Sequence, residues 1–277
     1  MGSPPTLAMT LLPGAQRLLE VHARELPQRD DLCGAFCGAL ALQAAGLTEH
    51  AGDPLDQDAV ALAAGSVVSG TREAGVLPHG EGGRRDYRLA IPTIEDSDVS
   101  GTTAAGVQSA LETLSEGSLV AIALAGPWTV DTLGGLYELV ERLDRPATLI
   151  ANLATHHLWG SHPSAGQLLA YLLDGEQDGP APDWRVGHFV CIVGRIQGPR
   201  GTLYTVADTY PSLGDHGVHL QPQEHLATAL ERRDIPAGGV LAVVASEDAP
   251  AVREGARQLG LREEMWDNGT IAPAEAG

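Results

Sequence analysis

The chain predicts an α+β fold with a cysteine-bearing helix at its centre, on three observations. Helical apolar patterns crowd the first half. Apolar runs of strand length, separated by turn residues, crowd the second. One segment, Ala35 to Ala45, is apolar at nearly every position. A helix tolerates an apolar surface all round only when other elements enclose it, so this segment predicts a central helix, packed on a C-terminal antiparallel sheet. With 277 residues, 43% of them hydrophobic, there is material for a substantial core. Residues 1–248 read as one domain and 249–277 as a short helix with a frayed tail.

In order along the chain, Leu11, Leu12, Ala15, Leu18, Leu19, Ala23 and Leu26 recur at helical spacing and stop at Pro27, predicting a helix over 11–26. The central helix follows and ends at Gly46, a residue type that closes helices in the left-handed conformation. "DQDAVALAAGSVV" predicts another helix, and Gly80 to Asp86 a turn or open loop. "TAAGVQSALETLSEG" reads as an amphipathic helix and "SLVAIALAG" as a buried strand. A similar pair follows, Leu133 to Arg142 helical and "ATLIANLATHHLW" extended. After a helix in "PSAGQLLAYLLDG" and a loop over Gly175 to Asp183, four strands are expected in "HFVCIVGRI", "TLYTVADTY", "GVHLQ" and "GVLAVVAS". Helices first and strands later favour α+β over an alternating parallel sheet.

Composition narrows the chemistry. The formal charge of -19 sets 36 acids against 17 bases, all of them arginine. Without lysine there is no Schiff base, no phosphate-loop lysine and no kinase-type strand lysine, which removes pyridoxal-dependent and ATP-driven readings. Basic residues cluster no further than pairs such as Arg84-Arg85 and Arg232-Arg233, so a nucleic acid partner is not expected. No apolar run approaches a membrane span, and the first residues lack the charged segment of a secretory signal. Three cysteines make no disulfide framework and suit a reducing cytoplasm, and the composition is typical of high-GC bacterial coding.

Cys33 stands where the central helix begins, at the positive end of the backbone dipole, which favours a thiolate. A nucleophilic thiolate needs a histidine to take and return its proton and a third group to orient the imidazole. In "GHFVCIVG" strand alternation sets His188 on one face and Cys191 on the other. The next strand ends at Asp208, and the "QGPRG" turn can fold the two strands into antiparallel neighbours that bring carboxylate and imidazole together. Gln28, five residues before Cys33, can offer its amide to a developing oxyanion beside the Cys33 N–H.

Three segments carry a family resemblance. "QRDDLCGAFCGALAL", "GHFVCIVG" and "VADTYPSLGDHGVHLQPQEHL" together resemble the papain-like C39 peptidases and their C39-like relatives, thiol enzymes that trim leaders from bacteriocin and lanthipeptide precursors. The resemblance spans roughly residues 28–45 and 187–230 and includes no transporter portion. It implies a papain-like fold with Cys33 as nucleophile, His188 as base, Asp208 as orienting group and Gln28 as oxyanion donor. It also implies a peptide or other amide as substrate, with no cofactor.

Other chemistry-bearing residues have plainer readings. Cys37 and Cys191 lie inside apolar runs and are expected in the core. Asp30 and Asp31 are expected to cap the central helix or meet a basic substrate group. "HHLWGSH" places His156, His157 and His162 close together, but neighbours on a strand face opposite ways, so no metal site is expected. Trp128, Trp159 and Trp184 fall near loop boundaries, where they can line a peptide cleft. The functional expectation is thus a cysteine-dependent peptidase, amidase or acyl transferase. The alternatives are a cyclising enzyme of ribosomal-peptide maturation and an inactive papain-like binding module.

Overall fold

The computed structural model describes residues 6–70 and 77–270. One eight-stranded sheet organises it: β1 (Ala8–Leu11), β2 (Leu119–Ala125), β3 (Thr148–Ala154), β4 (Gly187–Gln197), β5 (Thr202–Ala207), β6 (Val218–Pro222), β7 (Gly239–Ala245) and β8 (Arg262–Glu263). The strand order is β6-β5-β4-β3-β7-β2-β8, with every pair antiparallel. Along one edge of the long β4, residues 187–192 pair with β3 and residues 194–197 with β1.

Eight helices are described: α1 (Ala15–Glu25), α2 (Cys33–Ala44), α3 (Gln57–Ala63), α4 (Ala104–Leu114), α5 (Val130–Glu141), α6 (Ala165–Asp174), α7 (Gln223–Glu231) and α8 (Ala249–Gln258). On one side of the sheet α1, α3 and α4 gather around α2, which itself lies on β3 and β4. On the other, α5 packs with α7 and α8, and Tyr137 of α5 meets Tyr204 of β5 edge to face. Central strands covered on both faces must be apolar at successive positions, as "LVAIALA" of β2 and "GVLAVVA" of β7 are. The enclosed helix expected over 35–45 is α2, buried at ten of its positions. Its Gly38 lets α3 approach so closely that a Cβ there would stand 2.9 Å from Val60 Cγ1.

The architecture is mixed α and β around a large antiparallel sheet, but the sheet is not confined to the C-terminal half. Strands enter it from residue 8 to residue 263, interleaved with the helices. The helix expected over 11–26 begins only at Ala15, because Ala8–Leu11 pairs with β4 and Gly14, at φ 84, turns the chain. The helix expected across 56–68 is cut to Gln57–Ala63, and Val68–Ser69 makes a short parallel pairing with Thr93–Ile94. The extended run expected to 159 ends at Ala154 and passes into a 3-10 turn over Thr155–His157. After α8 the chain does not fray at once: β8 extends the sheet edge, Trp266 is buried and Asn268 Oδ1 accepts the Ala104 N–H at 3.1 Å. Residues 271–277 of the expected tail lie outside the described residues.

Candidate active site

The start of β4, the end of β5 and the N-terminus of α2 meet at one end of the sheet. The hairpin expected from the "QGPRG" turn forms, and at its open end His188 Nε2 lies 2.9 Å from Asp208 Oδ1. Both side chains are almost wholly buried. Cys33, partly exposed, is the first residue of α2 and lines with His188 and Gln28 a cavity of about 610 Å³. With Nε2 engaged by Asp208, Nδ1 is the nitrogen left for the Cys33 thiol, which lines the same cavity.

Electrostatics favour a charged imidazole. Burial by itself would lower the pKa of His188, but the charge and hydrogen bond of Asp208, aided by the Cys33 thiol, raise it to about 10. Burial would likewise raise the pKa of Asp208. His188 and His219 hold it instead well below the ordinary carboxylate range. Besides His188, Asp208 Oδ1 accepts the Thr209 N–H at 2.7 Å, and Oδ2 accepts from His219 Nε2 at 3.1 Å. Gln221 Nε2 donates to His219 Nδ1 at 3.0 Å, which leaves Nε2 as the ring nitrogen that donates to Asp208. The Asp208 carbonyl accepts from His22 Nε2 at 2.5 Å, so the backbone behind the carboxylate is tied to α1.

Trp184 stands edge-on to His188 at 4.9 Å, and Tyr210 lies stacked at 6.4 Å, walling the imidazole with aromatic surface. Of the tryptophans expected near a cleft, only Trp184 lines this one. Trp128 is buried elsewhere, and Trp159 packs on Tyr171 in a small separate core. Cys37 and Cys191 are buried together, where burial pushes the Cys37 thiol up.

Asp30 and Asp31 do not cap α2. Asp30 Oδ1 accepts the Arg84 N–H and Asp31 Oδ2 the Ser69 N–H, each at 2.7 Å, because both carboxylates tether loops that arrive from later in the chain. No side chain caps the α2 N-terminus among the described residues, and Cys33, the first residue of the helix, lines the cavity there. Gln28 is anchored by its own N–H on the Thr209 carbonyl at 2.9 Å, and its buried Oε1 has no hydrogen-bond partner.

A model of a family of unknown function, DUF6885, matches residues 12–267. The chain belongs to that family. No curated protein matches it. The stretch matched by DUF6885 takes in Gln28, Cys33, His188 and Asp208.

Within this DUF6885 chain two features escape the sequence reading. The turn at Thr155–His157 puts both histidines on one side, so that His156 Nε2 meets Asp234 Oδ2 at 2.7 Å and His157 Nε2 meets Oδ1 at 3.3 Å. The strand geometry expected to separate them has ended one residue earlier. Ligand atoms of His156, His157 and Asp234 lie within 4.8 Å of one another, a spacing that can hold a metal ion, although Arg185 also pairs with Asp234 at 2.9 Å. His162 stands apart, on the Ser212 carbonyl at 2.9 Å. The second feature is Arg232, which lines the cavity of Cys33 with its guanidinium on Asn152 Oδ1. Period-two spacing of His219 and Gln221 in "GVHLQ" signals a shared face; nothing local signals Arg232.

Proposed function

We propose that this protein is a cysteine-dependent acyl-transfer enzyme of papain-like design that cleaves or transfers the acyl part of a peptide or other amide. One observation carries the reading: a partly exposed thiol at an uncapped helix N-terminus shares a cavity with a buried imidazole whose far nitrogen is fixed by a carboxylate. The order of parts along the chain, cysteine helix before histidine strand before aspartate, agrees with the C39-like resemblance.

In the reaction the Cys33 sulfur forms a bond to the substrate carbonyl carbon, while the carbonyl electron pair moves onto oxygen. The α2 N–H groups and the Gln28 amide receive that oxyanion. Collapse of the tetrahedral species breaks the C–N bond, and the His188 imidazolium gives its proton to the leaving amine. Water or an amine then attacks the thioester, its proton passing to His188 as the C–S bond breaks. Asp208 keeps the ring in one orientation throughout.

Alkylation by iodoacetamide across pH, with the modified residue assigned by mass spectrometry, tests the reading. Cys33 is expected to react readily at pH 6.5, and His188→Asn to slow it about a hundredfold there, toward the roughly 1% thiolate of an ordinary thiol with a pKa of about 8.5. A rate that rises like an ordinary thiol's and ignores His188 would falsify the proposal.

A further inference from the structure

Arg232 is the only arginine among the described residues that line the cavity. It closes α7 in the left-handed region, at φ 42 and ψ 53, a place usually held by glycine or asparagine. Its side chain is nonetheless drawn inward, to 3% exposure. Among the described residues Asn152 Oδ1 is its one hydrogen-bond partner, and its Nε is buried with none. Burial lowers the guanidinium pKa to about 10, against the opposing charges of Cys33 and Asp234, so it remains a cation at neutral pH.

Among the described residues no carboxylate forms an ion pair with that cation. Asp234, two residues on, is taken by His156, His157 and Arg185. Asp30 and Asp31, on the helical wall of the cavity, already accept backbone N–H groups. Arg232 lies at the sheet, beside Asn152 of β3 and Gly187 of β4. Gly187 makes room for it, since a Cβ there would stand 2.7 Å from Nη2. The guanidinium therefore lies against the backbone of the residue immediately before His188. A buried, unpaired arginine is unfavourable unless something compensates its charge, and a planar fork is shaped for a carboxylate.

We propose that Arg232 receives a carboxylate of the substrate, so that the site acts on molecules bearing a free carboxyl group close to the carbonyl that Cys33 attacks. The second half of this statement rests on Cys33 being the nucleophile; carboxylate binding itself does not.

Two alkylating reagents that differ only in that group give the test. Iodoacetate and iodoacetamide each form an S–C bond with Cys33 and release iodide, but only iodoacetate carries a carboxylate. The iodoacetate-to-iodoacetamide rate ratio at Cys33 is expected to fall about tenfold in Arg232→Gln, the scale of one charge-assisted hydrogen bond, and to recover in part in Arg232→Lys. An unchanged ratio, or both rates slowing together, overturns the proposal; the second result would mean that Arg232 serves the thiolate itself.

A binding arm removes dependence on thiol reactivity. In Cys33→Ser, N-acetylglycine is expected to change tryptophan fluorescence saturably through Trp184, whereas N-acetylglycinamide does not. Adding Arg232→Gln should abolish the difference. Equal responses to acid and amide overturn the proposal. Acid-selective binding in a chain whose Cys33 proves unreactive upholds the carboxylate site and removes only the nucleophile.

Discussion

Asp208 holds two imidazoles, and the two have different tasks. His219, oriented by Gln221, satisfies one carboxylate oxygen, while His188 takes the other and has its pKa raised by it. The signs of the shifts define a pH window. Asp208, depressed below its ordinary 3.8, contributes stability that is present above that value and is lost as pH falls. His188, raised from 6.5 to about 10, contributes stability that is full below 6.5 and is lost as pH rises through about 10. Both shifts describe one ion pair and are counted once. The melting-temperature gap between the parent chain and Asp208→Asn is therefore expected to be widest between roughly pH 4 and 6.5 and to narrow on both sides. A gap that is flat from pH 3 to 10 would contradict the pairing. At this scale Cys33, His188 and Asp208 were legible because each sits at a position marked by its own neighbours, a helix start or a strand end. The partners of Asp30 and Asp31 were not, since the groups they bind lie 54 and 38 residues away.

Among the elements, α2 decides where the thiol goes, and close packing decides where α2 goes. Gly38 faces Val60 with no space for a branched side chain, so Gly38→Val is expected to destabilise the fold by about 1–3 kcal/mol. Urea denaturation measures this, and a change below about 0.5 kcal/mol, the range of ordinary surface substitutions, would mean that α2 and α3 are not held this tightly. The enclosed character of α2 was readable because an apolar surface on all sides has few physical solutions. Leu11 and Leu12 were misread because helical spacing also arises by chance where a short edge strand runs into a helix. What separates them is tertiary: Leu11 pairs with Gly194, where a Cβ would meet Leu11 Cδ2 at 2.7 Å. The strand period that would set His156 and His157 on opposite faces is abandoned by the chain at Ala154.

For the molecule as a whole, the last described residues close the structure. Trp266 packs over Gly239, the Glu264 N–H reaches the Ala123 carbonyl at 3.0 Å, and Asn268 holds the first turn of α4. Trp266→Ala is therefore expected to cost about 3–5 kcal/mol, read from equilibrium unfolding, whereas a frayed tail would show almost none of it. Asn268, Gly269 and Thr270 also line the cavity of Cys33, so chain that read as a loose end forms part of the site's wall. Among the described residues no helix is long and apolar enough to cross a membrane. From residue order alone came the mixed class, the enclosed helix, its leading cysteine and the hairpin bearing histidine and aspartate, because helix and strand periods and turn chemistry are local. Tertiary structure alone decided the interleaved sheet, the second histidine on Asp208, the clustering of His156 and His157 on Asp234, and the buried arginine in the cavity of the thiol. Each of these depends on groups far apart in sequence, whose meeting is set by how the layers pack.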